Sequence, residues 1–225
     1  TTWREAGVAV YGEALPSLKY QVGITTGFSA KKFDDPLFGI KSAHQEGQLA
    51  ESEDLALSAS LNYTGINGLL VGGSVFTGNT GQNEPGIGNA RLTLWDVHTR
   101  YQTGNWDLRA LYARGHLNDA ADITAVTGQS APSAFYGWFT EAGYHVWKSG
   151  DMDFAPFVRY ESYDTQASLP FNSTRVGGSK NKVWTVGANF WPHPQVVLKA
   201  DFQSYDRKDE DRGDKRFNLG MGYMF

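Results

Sequence analysis

Large apolar residues alternate with small or polar ones along most of the chain, and this period of two predicts strands rather than helices. Leu18, Tyr20, Val22 and Ile24 share one face against Lys19, Gln21, Gly23 and Thr25. Leu55, Leu57, Ala59, Leu61 and Tyr63 oppose Ser58, Ser60 and Asn62, and Trp95, Val97 and Tyr101 oppose Asp96, His98 and Arg100. Trp106, Leu108, Ala110 and Tyr112 stand against Asp107 and Arg109. Tyr136, Trp138, Ala142, Tyr144 and Val146 stand against Gly137, Glu141, Gly143 and His145. The same alternation continues over 154–163, 184–190, 196–203 and 216–225, with weaker segments over 4–13 and 69–78. The count is about eleven strands.

The connections sort by length. Short ones fall near 14–17, 65–68, 102–105, 148–153 and 192–195. Long polar ones fall near 31–54, 79–90, 118–133, 165–181 and 206–214. Short turns at one end and long loops at the other are the mark of an up-and-down transmembrane barrel. The aromatics sort as well. Tyr63, Tyr101, Trp106, Tyr144, Phe190, Trp191, Tyr223 and Phe225 lie near the short turns, whereas Trp95, Tyr112, Tyr136, Trp138, Trp184 and Phe202 lie near the long loops. Two such bands separated by Leu, Val and Ala read as the interfacial girdles of a membrane barrel. Alternation alone fits a soluble antiparallel barrel or sandwich equally well, with its apolar face turned inward. Loop asymmetry and girdles favour an all-β, antiparallel, up-and-down transmembrane β-barrel forming a single domain over 1–225.

Composition agrees. No apolar run approaches the ~18–20 residues of a membrane helix, yet a barrel strand is half polar and leaves no such run. With no cysteine there is neither a disulfide framework nor a thiolate metal site, and a net charge of −4 gives no basic field for nucleic acid. The first residues show neither the basic nor the apolar part of a signal peptide. Bacterial single-chain barrels have an even strand number. An odd count therefore predicts either one unseen strand or, as the favoured reading, the C-terminal portion of a larger barrel.

The stretches DLRALYARG, FAPFVRYESYDTQ, NFWPHPQVVLKADFQ and RFNLGMGYMF resemble the C-terminal half of porins related to the phosphate-selective porin O/P family. The resemblance spans most of 3–225 and weakens in the long loops. It implies a homotrimeric, roughly sixteen-stranded channel in the outer membrane of a Gram-negative bacterium. It also implies a C-terminal signal read by the barrel assembly machinery, matched here by Phe217, Tyr223 and Phe225. The family's arginine ladder does not map residue by residue, so its specificity is not carried over.

In such a barrel the polar face lines the lumen. The candidate pore-lining residues are Lys19, Asp96, His98, Arg100, Asp107, Arg109, Glu141, Arg159, Glu161, Lys199, Asp201 and Arg216, with His145 near the short turns. Arg100, Arg109, Arg159, Lys199 and Arg216 would make a basic track for anions. The competing reading is that they neutralise carboxylates beside them, as the spacing of Asp107 to Arg109 and of Arg159 to Glu161 allows. The 31–54 loop either folds inward or lies over the rim. The charged tip 206–215 reads as a solvated loop, or as a bridge through divalent cations to lipopolysaccharide.

No nucleophile motif supports a hydrolase, although His98, His145 and several serines share the polar face, and HExxH is absent. Neither an enzyme activity, nor a cofactor, nor a metal is expected. The expected partners are the lipid bilayer, lipopolysaccharide and a small permeant solute or anion. The expectation is passive diffusion of small hydrophilic solutes and ions, leaning to anions such as phosphate. The alternatives are a loop-plugged structural or adhesion barrel, or a soluble β-barrel binder.

Overall fold

The computed structural model describes residues 4–33, 35–37, 39–47, 49–208 and 214–224. The strands are β1 (Gly7–Leu15), β2 (Leu18–Thr26), β3 (Leu55–Ile66), β4 (Leu69–Gly78), β5 (Leu92–Thr103), β6 (Trp106–Leu117), β7 (Ala134–Tyr144), β8 (Trp147–Ser149), β9 (Met152–Ser168), β10 (Lys180–His193), β11 (Val196–Arg207) and β12 (Lys215–Tyr223). The single α-helix described, α1 (Ala120–Thr127), lies in a segment read from sequence as loop. All twelve strands form one antiparallel sheet in the order β1-β2-β3-β4-β5-β6-β7-β9-β10-β11-β12, with β8 paired to β9 off this path. The three-residue β8 continues β7 past a break at His145–Val146 and pairs with β9, so the sheet makes eleven traverses.

Two-residue turns join β1–β2, β3–β4, β5–β6, β8–β9 and β10–β11, all at one end. Tight turns require positive φ, which Ser17 (68°), Gly68 (75°), Gly104 (56°) and Gly150 (58°) supply. At Gly68 a Cβ would also strike the Gln102 carbonyl, because the Gln102 amide donates to the Gly68 carbonyl at 2.8 Å.

The apolar rows are the exposed ones. Val10 is 63% exposed, Val97 53%, Val186 59% and Leu219 75%. A soluble sandwich would bury these side chains, at roughly 1.5–3 kcal/mol each. The sheet buries them against nothing in the described chain. Trp106 packs on Tyr144 (ring centroids 4.8 Å) toward the short turns, whereas Trp95 packs on Tyr112 (5.4 Å) and Tyr160 on Trp184 (4.7 Å) toward the long loops. Two aromatic rows thus bracket an aliphatic band.

Among the described residues β1 and β12 each pair on one side only. Both run from the long-loop end to the short-turn end. Pairing them directly would be parallel, so antiparallel closure takes an odd number of strands between them.

The conventional core lies in the long loops. Phe28, Phe33, Ile40 and Ala43 of the β2–β3 loop are buried with Ile87, Ile123 and Ala131, and rest on Ala56, Phe76, Leu92 and Leu117. Those four strand residues lie on the polar face, by their register with Gly78, Ser58 and one another. Phe28 meets Phe76 edge-on at 5.4 Å. The loop therefore folds over the polar face instead of the outer rim, and Gly39 approaches Thr165 of β9.

Two buried glutamines fasten it. Gln82 Nε2 donates to the carbonyls of Phe28 and Asp54, each at 3.0 Å. Gln45 Nε2 donates to those of Gly27 and Glu51, each at 2.8 Å. Lys31 pairs with Glu51 and with Glu84 (3.3 Å), which joins this loop to the β4–β5 loop.

The Lys31 ammonium, donating to Glu51, holds that carboxyl below its usual range. Burial beside Phe28 pushes the His44 imidazole down. A depressed folded pKa adds stability above the unfolded value and loses it as pH falls. Loop closure should therefore weaken in two stages, below about pH 6.5 and again below about pH 4. Hydrogen exchange of the Ser29 and Ala30 amides, bonded to Ala43 and Thr80 and corrected for intrinsic pH dependence, should show protection falling in that order. Unchanged protection down to pH 4 would contradict it.

Candidate functional site

Residues directly opposite in an antiparallel pair point to the same face, so register alone traces one row across the sheet. Lys19 faces Asn62, Asn62 faces Gly72, and Gly72 faces His98. Arg100, two residues on, faces Arg109, which faces Glu141, which faces Arg159. Arg159 faces Thr185, Thr185 faces Gln203, and Gln203 faces Arg216. Asp96, Asp107, Glu161, Lys199 and Asp201 lie an even number of residues from members of this row. All twelve residues singled out from the sequence therefore share the face opposite the exposed apolar rows.

Their geometry is that of a charge ladder. Arg100 and Arg109 stand directly opposite, a like-charge pair that would be destabilising alone. Asp107 sits between them. Arg100 donates to it from Nε at 2.9 Å and from the terminal nitrogen at 2.6 Å, and Arg109 donates at 2.8 Å. Glu141 is shared between Arg109 (3.6 Å) and Arg159 (3.7 Å), and Arg159 also reaches Glu161 at 3.1 Å. The Arg159 guanidinium lies over the Phe139 ring, 3.8 Å from its centroid. The signs alternate along the wall, and three arginines balance three carboxylates.

Lys19 and Lys199 have no ion pair among the described residues. Asp201 accepts from Asn218 at 2.8 Å. Arg216 pairs with Asp214 at 2.7 Å and lies over the Tyr205 ring, 4.6 Å from its centroid. Arg207 reaches the same carboxylate at 3.4 Å.

A second cluster crosses β3, β4 and β5. His98 Nδ1 lies 2.7 Å from Asp96, and its Nε2 lies 3.0 Å from Asn62 Oδ1. The Ser74 hydroxyl donates to Asp96. That hydroxyl meets the carboxylate and not the imidazole, so the cluster lacks the serine–histidine bond of a nucleophile pair. Gly72 makes the cluster possible, since a Cβ there would occupy the space between Asn62 and His98. Among the described residues no three histidine or carboxylate side chains converge as a metal set would.

Most of the aromatics singled out from the sequence as interfacial lie on one face of the sheet. Tyr63, Tyr101, Trp106, Tyr144, Phe190 and Tyr223 lie on the apolar face, by register with Leu18, Leu69, one another, Phe154 and Val196. Trp191 does not. It faces Asp153 and stacks on His145 at 5.7 Å, on the polar side, with His145 bonded to Asp153. The sequence places two aromatics in succession there, and a strand can turn only one of them outward. Phe225 lies outside the described residues. Sequence reasoning missed Gln45, Gln82, Phe139 and Ser74 as parts of the site. Ser74 and Phe139 were reachable by alternation, whereas the glutamines act through non-local carbonyls that no local pattern reveals.

No family model matches the chain. An uncharacterized protein of Aquifex aeolicus (strain VF5) is 31% identical over 237 residues, covering 100% of this chain and 54% of that protein. The chain thus spans about half the length of this curated relative. Among solved structures, the anion-selective porin from Comamonas acidovorans aligns with TM-score 0.59 and 11% identity, over 96% of this chain and 58% of that one. The Salmonella typhi OmpF complex with daunomycin gives 0.59 and 12%, over 96% and 61%. A porin refined at 1.8 Å gives 0.55 and 12%, over 98% and 62%. The fold is that of a porin. At such identities the likeness concerns architecture, an antiparallel sheet forming part of a β-barrel.

Replacing Asp107 by Asn should leave two opposed guanidiniums without their shared carboxylate. The expected loss is about 1–3 kcal/mol for a part-buried ionic network, toward the lower end because Arg100 and Arg109 are 43% and 42% exposed. Urea unfolding of the full-length protein in micelles measures it, and wild-type stability would contradict the ladder.

Proposed function

We propose that the chain is part of an outer-membrane porin of a Gram-negative bacterium, a passive diffusion channel for small hydrophilic solutes and ions. The observation that carries this is the division of the sheet. One face is apolar, exposed and bracketed by aromatic rows. The other carries the charged and polar side chains, with Arg100, Arg109, Glu141 and Arg159 in direct succession across four strands. Lipid satisfies the first and water the second. The reading calls for no cofactor and no catalytic step.

The expected preference is for anions, phosphate among them, and it is weak. The ladder arginines are held by carboxylates, Lys19 and Lys199 have no ion pair among the described residues, and Asp96 and Asp201 on the same face offset their charge, which keeps the preference weak. The Comamonas protein, described as anion-selective, supports the lean. The assignment to phosphate-selective relatives, the homotrimer and the dependence on the barrel assembly machinery rest on the sequence resemblance.

A loop-plugged barrel is the second reading, favoured by the buried core that the long loops build over the polar face. The full-length protein in a planar bilayer under a KCl gradient separates the two. The porin reading predicts stepwise conductance with a small anion-selective reversal potential, shifted toward cations by Lys19→Gln with Lys199→Gln. A cation-selective wild type would keep the channel and overturn the anion preference. Folded protein without conductance would establish the plug.

A further inference from the structure

The outer face carries a feature that permeation does not use. Resting on the reading above that the apolar face meets lipid, we propose that Lys180, Lys182, Lys208 and Lys215 form a binding site for a phosphate-bearing lipid headgroup. The site lies on the outside of β10–β12, at the long-loop end.

Register places the patch. Lys182 faces Ser162 and Asp206, Trp184 faces Tyr160 and Ser204, and Ser204 faces Lys215. Lys180 lies two residues beyond Lys182 on the same face, and the Lys208 amide donates to the Lys180 carbonyl at 3.0 Å. The lysines therefore stand beside and just beyond Trp184. That ring is 55% exposed, and Phe202 one row below is 46% exposed. Exposed amphipathic rings mark the headgroup level of a bilayer, so the ammonium groups sit at the level of lipid phosphates while Val186 and Val158 offer a track for an acyl chain. Neighbouring strands are about 4.8 Å apart and same-face positions along a strand about 7 Å apart. Flexible lysine stems can thus converge on one headgroup.

Charge supports the assignment. None of the four lysines has a hydrogen bond or ion pair with a side chain among the described residues. Of the nearby carboxylates, Asp164 is held by Arg175 at 3.0 Å, which leaves Asp206 facing Lys182. The patch is cationic on a chain of net charge −4. On β2–β5 the outer positions at this end are Thr26, Leu55, Thr77 and Thr93, with Arg91 beyond them, whose Nε donates to the Thr77 hydroxyl at 3.3 Å. Unpaired lysines just outside an apolar band are the chemistry that recognises anionic lipid. Residues 209–213, which include three acids, lie outside the described residues.

The test uses full-length protein in phosphatidylcholine nanodiscs doped with a bisphosphorylated glycolipid, with retained glycolipid counted by mass spectrometry after detergent extraction. Wild type should retain the glycolipid. The variant with Lys180, Lys182, Lys208 and Lys215 all changed to Gln should bind it about tenfold or more weakly. Its heat-modified gel mobility and conductance should be those of wild type. Lys19→Gln with Lys199→Gln, on the other face, should leave retention unchanged. Equal retention by the quadruple variant would overturn the proposal. Displacement by millimolar inorganic phosphate would also overturn it, marking a free-anion site instead of a lipid site. Conducting protein that retains no glycolipid sinks this proposal and leaves the channel standing, whereas protein that never inserts sinks both.

Discussion

The structure depends on one constraint, that a backbone crossing hydrocarbon must bond all its amides and carbonyls internally. A strand meets it only through its neighbours, which is why each strand from β1 to β12 pairs antiparallel with another in a single sheet. The same constraint fixes the side chains. Once pairing sets the register, every second residue takes the apolar face and the rest take the polar face, and a slip of one residue would turn Arg109 or Asp107 to the apolar side. On the proposed reading, apolar exposure that would be a liability in water holds the sheet in the bilayer.

The polar face has to accommodate charge without that charge becoming costly. Its arginines and carboxylates alternate across β5, β6, β7 and β9, so that each guanidinium has an anion within 4 Å. Opposed arginines would repel, and Asp107 converts that pair into a bridge. The wall gains rigidity and loses net field. On the proposed channel reading, selectivity falls to Lys19 and Lys199, which have no ion pair among the described residues.

The strands, their two faces and the sorting of the loops were legible because they follow from local alternation. The eleven traverses are those the pattern counts, and the twelve charged and polar residues it selects do share a face. Two successive aromatics defeated the pattern at Trp191, since a period-two reading cannot say which of Phe190 and Trp191 the register turns outward. The position of the β2–β3 loop was not legible either. It is decided by Phe28 meeting Phe76, and by Gln45 and Gln82 reaching carbonyls far away in sequence. The charge ladder was half legible. Spacing along one strand suggested Asp107 with Arg109, but the approach of Arg100 and the sharing of Glu141 come from cross-strand register.

The central claim is that the two faces of this sheet meet two solvents. The most direct measurement is single-cysteine labelling of the full-length protein in liposomes, on a chain whose residues here include no native cysteine. Val97→Cys and His98→Cys are adjacent on β5 and point to opposite faces. The account predicts that a membrane-impermeant maleimide labels position 98 and spares position 97, while a lipid-borne nitroxide quenches a fluorophore at 97 and not at 98. Aqueous labelling of both positions, or of position 97 alone, would contradict it.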